Sequence, residues 1–347
     1  MCIRDSPGDH QCVRQLAPAI PRVRTAARRV RQQGVAYNRA TPAIRVPEIP
    51  LRASEMTNCM TTCRRRIVLL LAASGLLSGC SSMVSSATAG LAENLTTAVL
   101  QQNDPETVRQ GAPAYLLLVD GLIADNPDSV DLLLAGASLY SSYAGTFVAE
   151  PAREARLAEK GRDYGWRALC RADRSACGVW SAPYAEFEAV VNSIGPTSID
   201  ALYGSATAWV TWIRANSGDW GAVGDKARVE AMLLRVVSLD PEYDEGSPYL
   251  YMGRLDTLLP AAMGGRPERG REHFERAIEL SGGRNLMAKV LLAKNYARLV
   301  FDRELHDRLC REVLEADPEA GAFTLINALA QEQAAALLAD SDDYFGD

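Results

Sequence analysis

An acidic or amide residue followed by proline recurs along this chain, at Asp104-Pro105, Asn126-Pro127, Asp240-Pro241 and Asp317-Pro318. Proline disfavours helix in the residue before it and suits the first position of the next helix, so each pair predicts a corner between two helices. Counting back from three of these corners, the same side-chain types fall twelve, eight and five places before the proline: Tyr115, Val119 and Leu122; Val229, Leu233 and Val236; and His306, Cys310 and Val313, with a histidine at the first place. A fourth copy, Gly270, Phe274 and Ala277, precedes Gly282 instead of a proline. Strict apolar alternation rich in β-branched residues is missing from Leu91 onward, so the expected fold class is all-α.

The spacing resembles the second helix of the tetratricopeptide repeat, A-x3-F-x2-A-x4-P. Offsets of four and seven belong to any amphipathic helix, so weight rests on four matches that end at a corner and on anchors at 229, 270 and 306, near the repeat length. Together they predict stacked antiparallel helix pairs, a tetratricopeptide-like helical-hairpin solenoid over residues 91–347. The unit "GGRPERGREHFERAIELSGG" is the most legible. Pro267 suits its first helical position, Gly270, Phe274, Ala277 and Ile278 make its apolar stripe, and Glu272 is placed to pair with Arg276. Gly282 and Gly283 can end it in left-handed conformation.

Upstream of the helices lies an export signal. Arg64, Arg65 and Arg66 precede the uncharged, mostly apolar Ile67 to Leu77, which is far shorter than the ~20 residues a spanning helix needs. Leu77-Ser78-Gly79-Cys80 resembles the bacterial lipobox, which implies acylation of Cys80 and cleavage before it. The expected organisation is a signal peptide at 56–79, a lipidated tether at 80–90, and a segment 1–55 that is untranslated or disordered. That segment holds ten arginines against four acids, scattered prolines and no apolar period. Serines at 81 and 82, where aspartate would hold the chain at the inner membrane, imply the periplasmic face of the outer membrane.

The whole chain carries a net charge of −6; without the ten arginines and four acids of 1–55 and the three arginines of 64–66, residues 80–347 carry −15. An acidic chain in an exported compartment argues against nucleic acid as a partner and for a membrane link through the lipid anchor alone. Cys170 and Cys177 flank a short polar loop and either pair as a disulfide or stay free, while Cys310 is left over as a buried apolar residue. With only His273 and His306 beyond Cys80, no second cysteine pair and no phosphate loop or nucleophile elbow, neither a metal site, a cofactor nor an enzyme is expected. Asp340, Asp342, Asp343 and Asp347 read as a frayed acidic tail rather than a calcium loop. Tyr203, Trp209 and Trp212 share one helix and either line a ligand channel or form core, the commoner fate of an aromatic stripe. His273, beside Phe274, faces either helix packing or a cavity.

The lipobox, the glycine pair before His273-Phe274, "LLLAGASLYSSYAGTFVAE" and "FTLINALAQEQAAALLADSDDYF" together resemble the TatT family of periplasmic tetratricopeptide lipoproteins associated with TRAP transporters. The resemblance runs from about Met83 to Phe345. It implies an all-helical homotrimeric scaffold that engages a TRAP-type solute-binding protein, with a cavity or pore for a hydrophobic or carboxylated solute and with Tyr203, Trp209, Trp212 and His273 as candidate lining. The competing expectation is an outer-membrane assembly scaffold that binds peptides in a concave groove, since both functions use the same architecture.

Overall fold

The computed structural model describes residues 97–346, which lie in the second of two compact units, Gly75–Asp347. Cys80, the signal peptide and the upstream segment fall outside the described residues. Among the described residues the regular elements are all helical. In chain order they are α1 (Pro105–Asp125), α2 (Val130–Phe147), α3 (Pro151–Ala172), α4 (Tyr184–Ser193), α5 (Ile199–Ala215), the short α6 (Trp220–Gly224), α7 (Lys226–Leu239), α8 (Ser247–Asp256) and α9 (Pro267–Leu280). Then come α10 (Leu286–Leu291), which continues as a π-helix over Leu292–Ala297, α11 (Arg303–Glu315), α12 (Thr324–Ala339) and the short α13 (Ser341–Phe345).

The Asp-Pro corners share a device, which starts α1 at Asp104 and follows the ends of α7 and α11 at Asp240 and Asp317. Each aspartate accepts the backbone N–H two residues on: Glu106 to Asp104 at 3.1 Å, Glu242 to Asp240 at 3.0 Å and Glu319 to Asp317 at 2.9 Å. Such a turn gives the backbone an alternative to the helical ladder. Asn126 closes α1 by donating its backbone N–H to Leu122 O at 2.9 Å, as Asp240 closes α7 by donating to Val236 O at 2.9 Å.

Three of the four repeat stripes are buried as the spacing predicts. Val229, Leu233 and Val236 are fully buried on α7, as are Cys310 and Val313 with His306 on α11, and Phe274 and Ala277 on α9. The first stripe slips: α1 buries Leu116, Val119 and Ile123 and leaves Leu122 46% exposed. An unbroken run from Tyr115 to Val119 offers two equally apolar registers one residue apart, and packing against α2 selects the other.

Helices pack on their neighbours in succession, α1 on α2, α2 on α3, α3 on α5, α5 on α7, α7 on α8, α8 on α9 and α11 on α12. Three apolar clusters result. One joins α1 to α3 around Leu133, Ala137 and Tyr140; a second joins α3 to α8 around Phe187, Leu202 and Trp209; a third fills the α9 to α12 end around Phe274, Val290 and Ala330. Glycines set the closest approaches. A Cβ on Gly165 would come within 2.9 Å of the Ser205 backbone on α5, and one on Gly253 within 2.6 Å of the Phe274 ring. Asp120 ties the first three helices by accepting from Lys160 Nζ at 2.5 Å and from the hydroxyls of Tyr140 and Tyr164 at 2.7 Å each. α12 also meets α1, and Val108 and Phe147 pack on the third cluster, so the two ends of the helical array touch.

Two local expectations are corrected. Arg276 pairs with Glu279 at 2.5 Å rather than with Glu272, because a partner three residues on lies within reach of its side chain on the same exposed face. The acidic tail is not frayed: α13 is helical, with Asp340 paired to Arg298 at 2.9 Å and Asp342 to Arg303. Basic residues from α11 and the turn before it neutralise what the local sequence left as a run of like charge.

Gly282 and Gly283 do adopt left-handed φ of 59° and 74°, and Gly283 N–H bonds Ile278 O at 2.8 Å to close α9. The same closure follows the π-helix, where Asp302 N–H bonds Ala297 O at 2.8 Å, but the left-handed position there is Phe301, with φ 62° and 64% exposure. A left-handed non-glycine residue costs about 1 kcal/mol or more. Phe301→Gly is therefore expected to raise unfolding stability by about 1 kcal/mol, less whatever the ring contributes by stacking on Tyr344 and Phe345. Urea unfolding of the two proteins reads the difference.

Candidate ligand-binding site

The junction of α7, α8 and α9 is built on a buried carboxylate. Asp256, at the end of α8, is 1% exposed and meets Arg266 at 2.8 Å, Arg269 at 2.7 Å and Lys226 at 3.7 Å. Both arginines also bridge to Glu230 on α7. Burial alone would raise the Glu230 carboxyl, and the two guanidinium groups outweigh it and hold it below its ordinary value. The arginines come from "GGRPERGR" because Pro267 starts α9 between them and aims both back at α8.

This junction fixes the last turn of α8, which carries Arg254. Arg254, Arg214 from the last turn of α5, and Arg298 just beyond the π-helix all lie near enough to Lys294 of that helix for their fields to act on it. Two of these cations are neutralised. Arg214 pairs with Glu154 at 2.5 Å, and Arg298 pairs with Asp340, donates to Leu337 O at 3.2 Å and lies 4.3 Å over the Tyr344 ring. Arg254 and Lys294 have no ion-pair partner among the described residues. Burial pulls the Arg254 guanidinium below its ordinary pKa, with Arg214 adding to the effect against Tyr251. Lys294 is lowered first by desolvation and then by the fields of Arg254, Arg214 and Arg298.

The π-helix shapes the far end of this group. Arg298 N–H bonds Ala293 O at 3.2 Å, five residues back, so the turn is widened by one residue. Such turns cluster at functional sites. Lys294 and Arg298 border an open recess of about 380 Å³ whose remaining walls are Gln333, Ala336, Leu337 and Asp340 of α12 and its cap. At the near end Tyr251 lies beside Arg254, with Tyr203 6.1 Å from it between ring centres. Unneutralised cations between an aromatic wall and an apolar floor suit an anion with an apolar body, such as an organic carboxylate.

The four aromatic and histidine candidates do not converge on one cavity. Trp209 is 1% exposed and stacks on Trp180 at 4.3 Å in the second core cluster. Trp212 is partly buried beneath Arg162, 3.5 Å from its ring centre. Tyr203 packs with Tyr243 and Tyr251 and so borders the cation group through Tyr251. His273 is half-buried at the Asp256 junction, its Nε2 3.5 Å from Asp256 Oδ2. Cys170 and Cys177 are joined by a disulfide across the end of α3, and Cys310 is buried. A second recess, of about 520 Å³ beside Trp166 and Trp180, has its charges matched, Lys160 by Asp120 and Arg162 by Glu159. Arg214, Arg254 and Lys294, which the sequence reading missed, lie forty residues apart in turn. That interval, close to the distance between repeat anchors, is the signal that could have found them.

Among the described residues the chain is all helical, and its candidate site is a group of cations of which Arg254 and Lys294 have no ion-pair partner. A model of the family described as TRAP transporter T-component (TAtT) matches residues 101–345, and the chain belongs to this family of accessory transport subunits. It is also similar to an uncharacterized protein of Treponema pallidum (strain Nichols), 24% identical over 273 residues that span 73% of this chain and 84% of that protein. No helix among the described residues is long and apolar enough to cross a membrane.

His273 and the unpaired cations carry opposite consequences for stability. Burial depresses the His273 pKa below 6.5 against the opposing pull of Asp256. Its neutral form is thus favoured in the folded state, and stability is full above about pH 6.5 and falls as pH drops below it. His273→Gln is expected to flatten the fall between pH 7.5 and 5.5, read by urea midpoints. Lys294→Gln removes repulsion without breaking a pair and is expected to raise the melting temperature, whereas Arg298→Gln, which orphans Asp340, lowers it.

Proposed function

We propose that the protein is a periplasmic, lipid-anchored scaffold of a TRAP transport system that binds the system's solute-binding protein. The observation that carries this reading is the family match over residues 101–345. Acylation at Cys80 would tether the chain to the outer membrane, facing the periplasm, and the helices from residue 91 would form a tetratricopeptide-like solenoid acting as a homotrimer. The solute it holds or passes is a hydrophobic carboxylate, a class favoured by the unpaired Arg254 and Lys294 beside Tyr251 and Leu337. The protein's part is electrostatic: it offers preformed cations in a partly desolvated setting where a carboxylate replaces water.

Sedimentation velocity of the chain from Ser81 onward, alone and with the solute-binding protein encoded nearest to it, tests the partner. A gain of mass on mixing is expected. Indifference would sink this reading and bring the outer-membrane assembly scaffold forward. Titration with octanoate tests the solute. The Arg254→Gln, Lys294→Gln double variant is expected to bind it at least about tenfold more weakly, roughly 1.4 kcal/mol, and equal binding by both proteins would remove the cations from the site.

A further inference from the structure

α1 turns its apolar residues both ways. It buries Leu116, Val119 and Ile123 and leaves Leu117, Leu118 and Leu122 at 73, 55 and 46% exposure. Between these leucines the exposed positions are small, Ala114, Gly121 and Ala124. No charged residue lies between Arg109 and Asp125 except Asp120, which is turned to Lys160, Tyr140 and Tyr164. α2 continues the pattern: from Asp131 to Glu150 it carries no charge, and its exposed residues include Ala135, Ser138, Leu139 and Ser142. On a chain with −15 over residues 80–347 the middle of this hairpin, between Arg109 and Asp125 and between Asp131 and Glu150, is a leucine-studded surface whose one carboxylate, Asp120, is paired.

We infer that a second copy of this chain docks on the α1–α2 hairpin through Leu117, Leu118 and Leu122. Two arguments select that occupant. Copies of an acidic protein repel one another wherever like charge is exposed, and along the middle of these two successive helices they meet without opposing like charges, with Glu106, Asp125, Asp128 and Asp131 lying at the ends. The hairpin also supplies both halves of a contact, protruding leucines on α1 and small gaps at Ala114, Gly121, Ala135 and Ser138, so one copy's leucines have seats on the other's surface. Size is consistent with this. α1 is about 30 Å long and one helix face covers roughly 300 Å², so α1 alone falls short of the ~800 Å² per partner of a stable interface and the contact extends over α2. The inference rests on the homo-oligomeric part of the proposed function and assigns its surface.

The test is sedimentation velocity of the chain from Ser81 onward between about 1 and 100 μM, with Leu117→Glu, Leu122→Glu as the variant. Both positions face solvent, so circular dichroism and melting temperature are expected to hold; if they do not, Leu117→Gln, Leu122→Gln replaces the pair. The native chain is expected to sediment as an oligomer and the variant as a monomer, with self-association weakened at least about tenfold, while both gain mass equally with the solute-binding protein. An oligomer unaffected by the substitutions would overturn the assignment of this face and leave oligomerisation standing. A native chain that is monomeric throughout would overturn both, whatever its binding to the solute-binding protein. A monomer that instead pellets with phosphatidylethanolamine/phosphatidylglycerol vesicles, dependent on Leu117 and Leu122, would give the face to the bilayer and overturn the inference.

Discussion

The buried Asp256 carboxylate holds three helices in place, and much of the molecule depends on it. Two arginines from the start of α9 neutralise it and reach on to Glu230, so α7, α8 and α9 meet at one polar point between the second and third apolar clusters. A buried charge is tolerated only when paired and hydrogen-bonded, and removing either side leaves the other desolvated without a partner. Both arginines reach Asp256 and Glu230 at once, so the clamp sets α9 against α7 and α8 together. Arg254 is only two residues before Asp256, so the same clamp that joins the clusters sets the direction of an unpaired cation.

The helices were legible in the sequence for a plain reason. Corners carry proline and aspartate, whose local chemistry needs no tertiary partner, and on α7, α9 and α11 the residues at the corner spacing are the buried ones. α1 escaped because Tyr115 to Val119 is apolar throughout, which makes the stripe a matter of packing. The functional side was hidden more deeply. Arg254 and Lys294 are surrounded in sequence by unremarkable helix, and their isolation from carboxylates is a property of three dimensions. The π-helix likewise has no motif, since one extra residue per turn is a local choice among nearly equal hydrogen bonds. Aromatic residues drew attention in proportion to their size, yet Trp209 is core, and Tyr203 reaches the site only through Tyr251.

Charge is spent unevenly over this chain. Carboxylates and guanidinium groups are matched at Asp120, Glu154, Asp256 and Asp340, where they join helices. They are unmatched at Arg254 and Lys294, and nearly absent from the outer side of α1 and α2. An acidic protein that leaves two cations unpaired and the middle of two helices without exposed charge forgoes ion pairing and charge repulsion at those two places. Both departures are intelligible as binding surfaces, one for a small anion and one for a protein.

The disulfide at the end of α3 has a spectroscopic consequence. It closes the loop from Cys170 to Cys177 three residues before Trp180, whose ring lies flat on Trp209 at 4.3 Å with an interplanar angle of 2°. Trp166 meets both rings edge-on, and Arg162 sits 4.8 Å over Trp180. Parallel indoles at that distance couple their transitions. Near-ultraviolet dichroism of this chain therefore reports on a single packed group of indoles, and the short segment from the disulfide to Trp180 places one of its members.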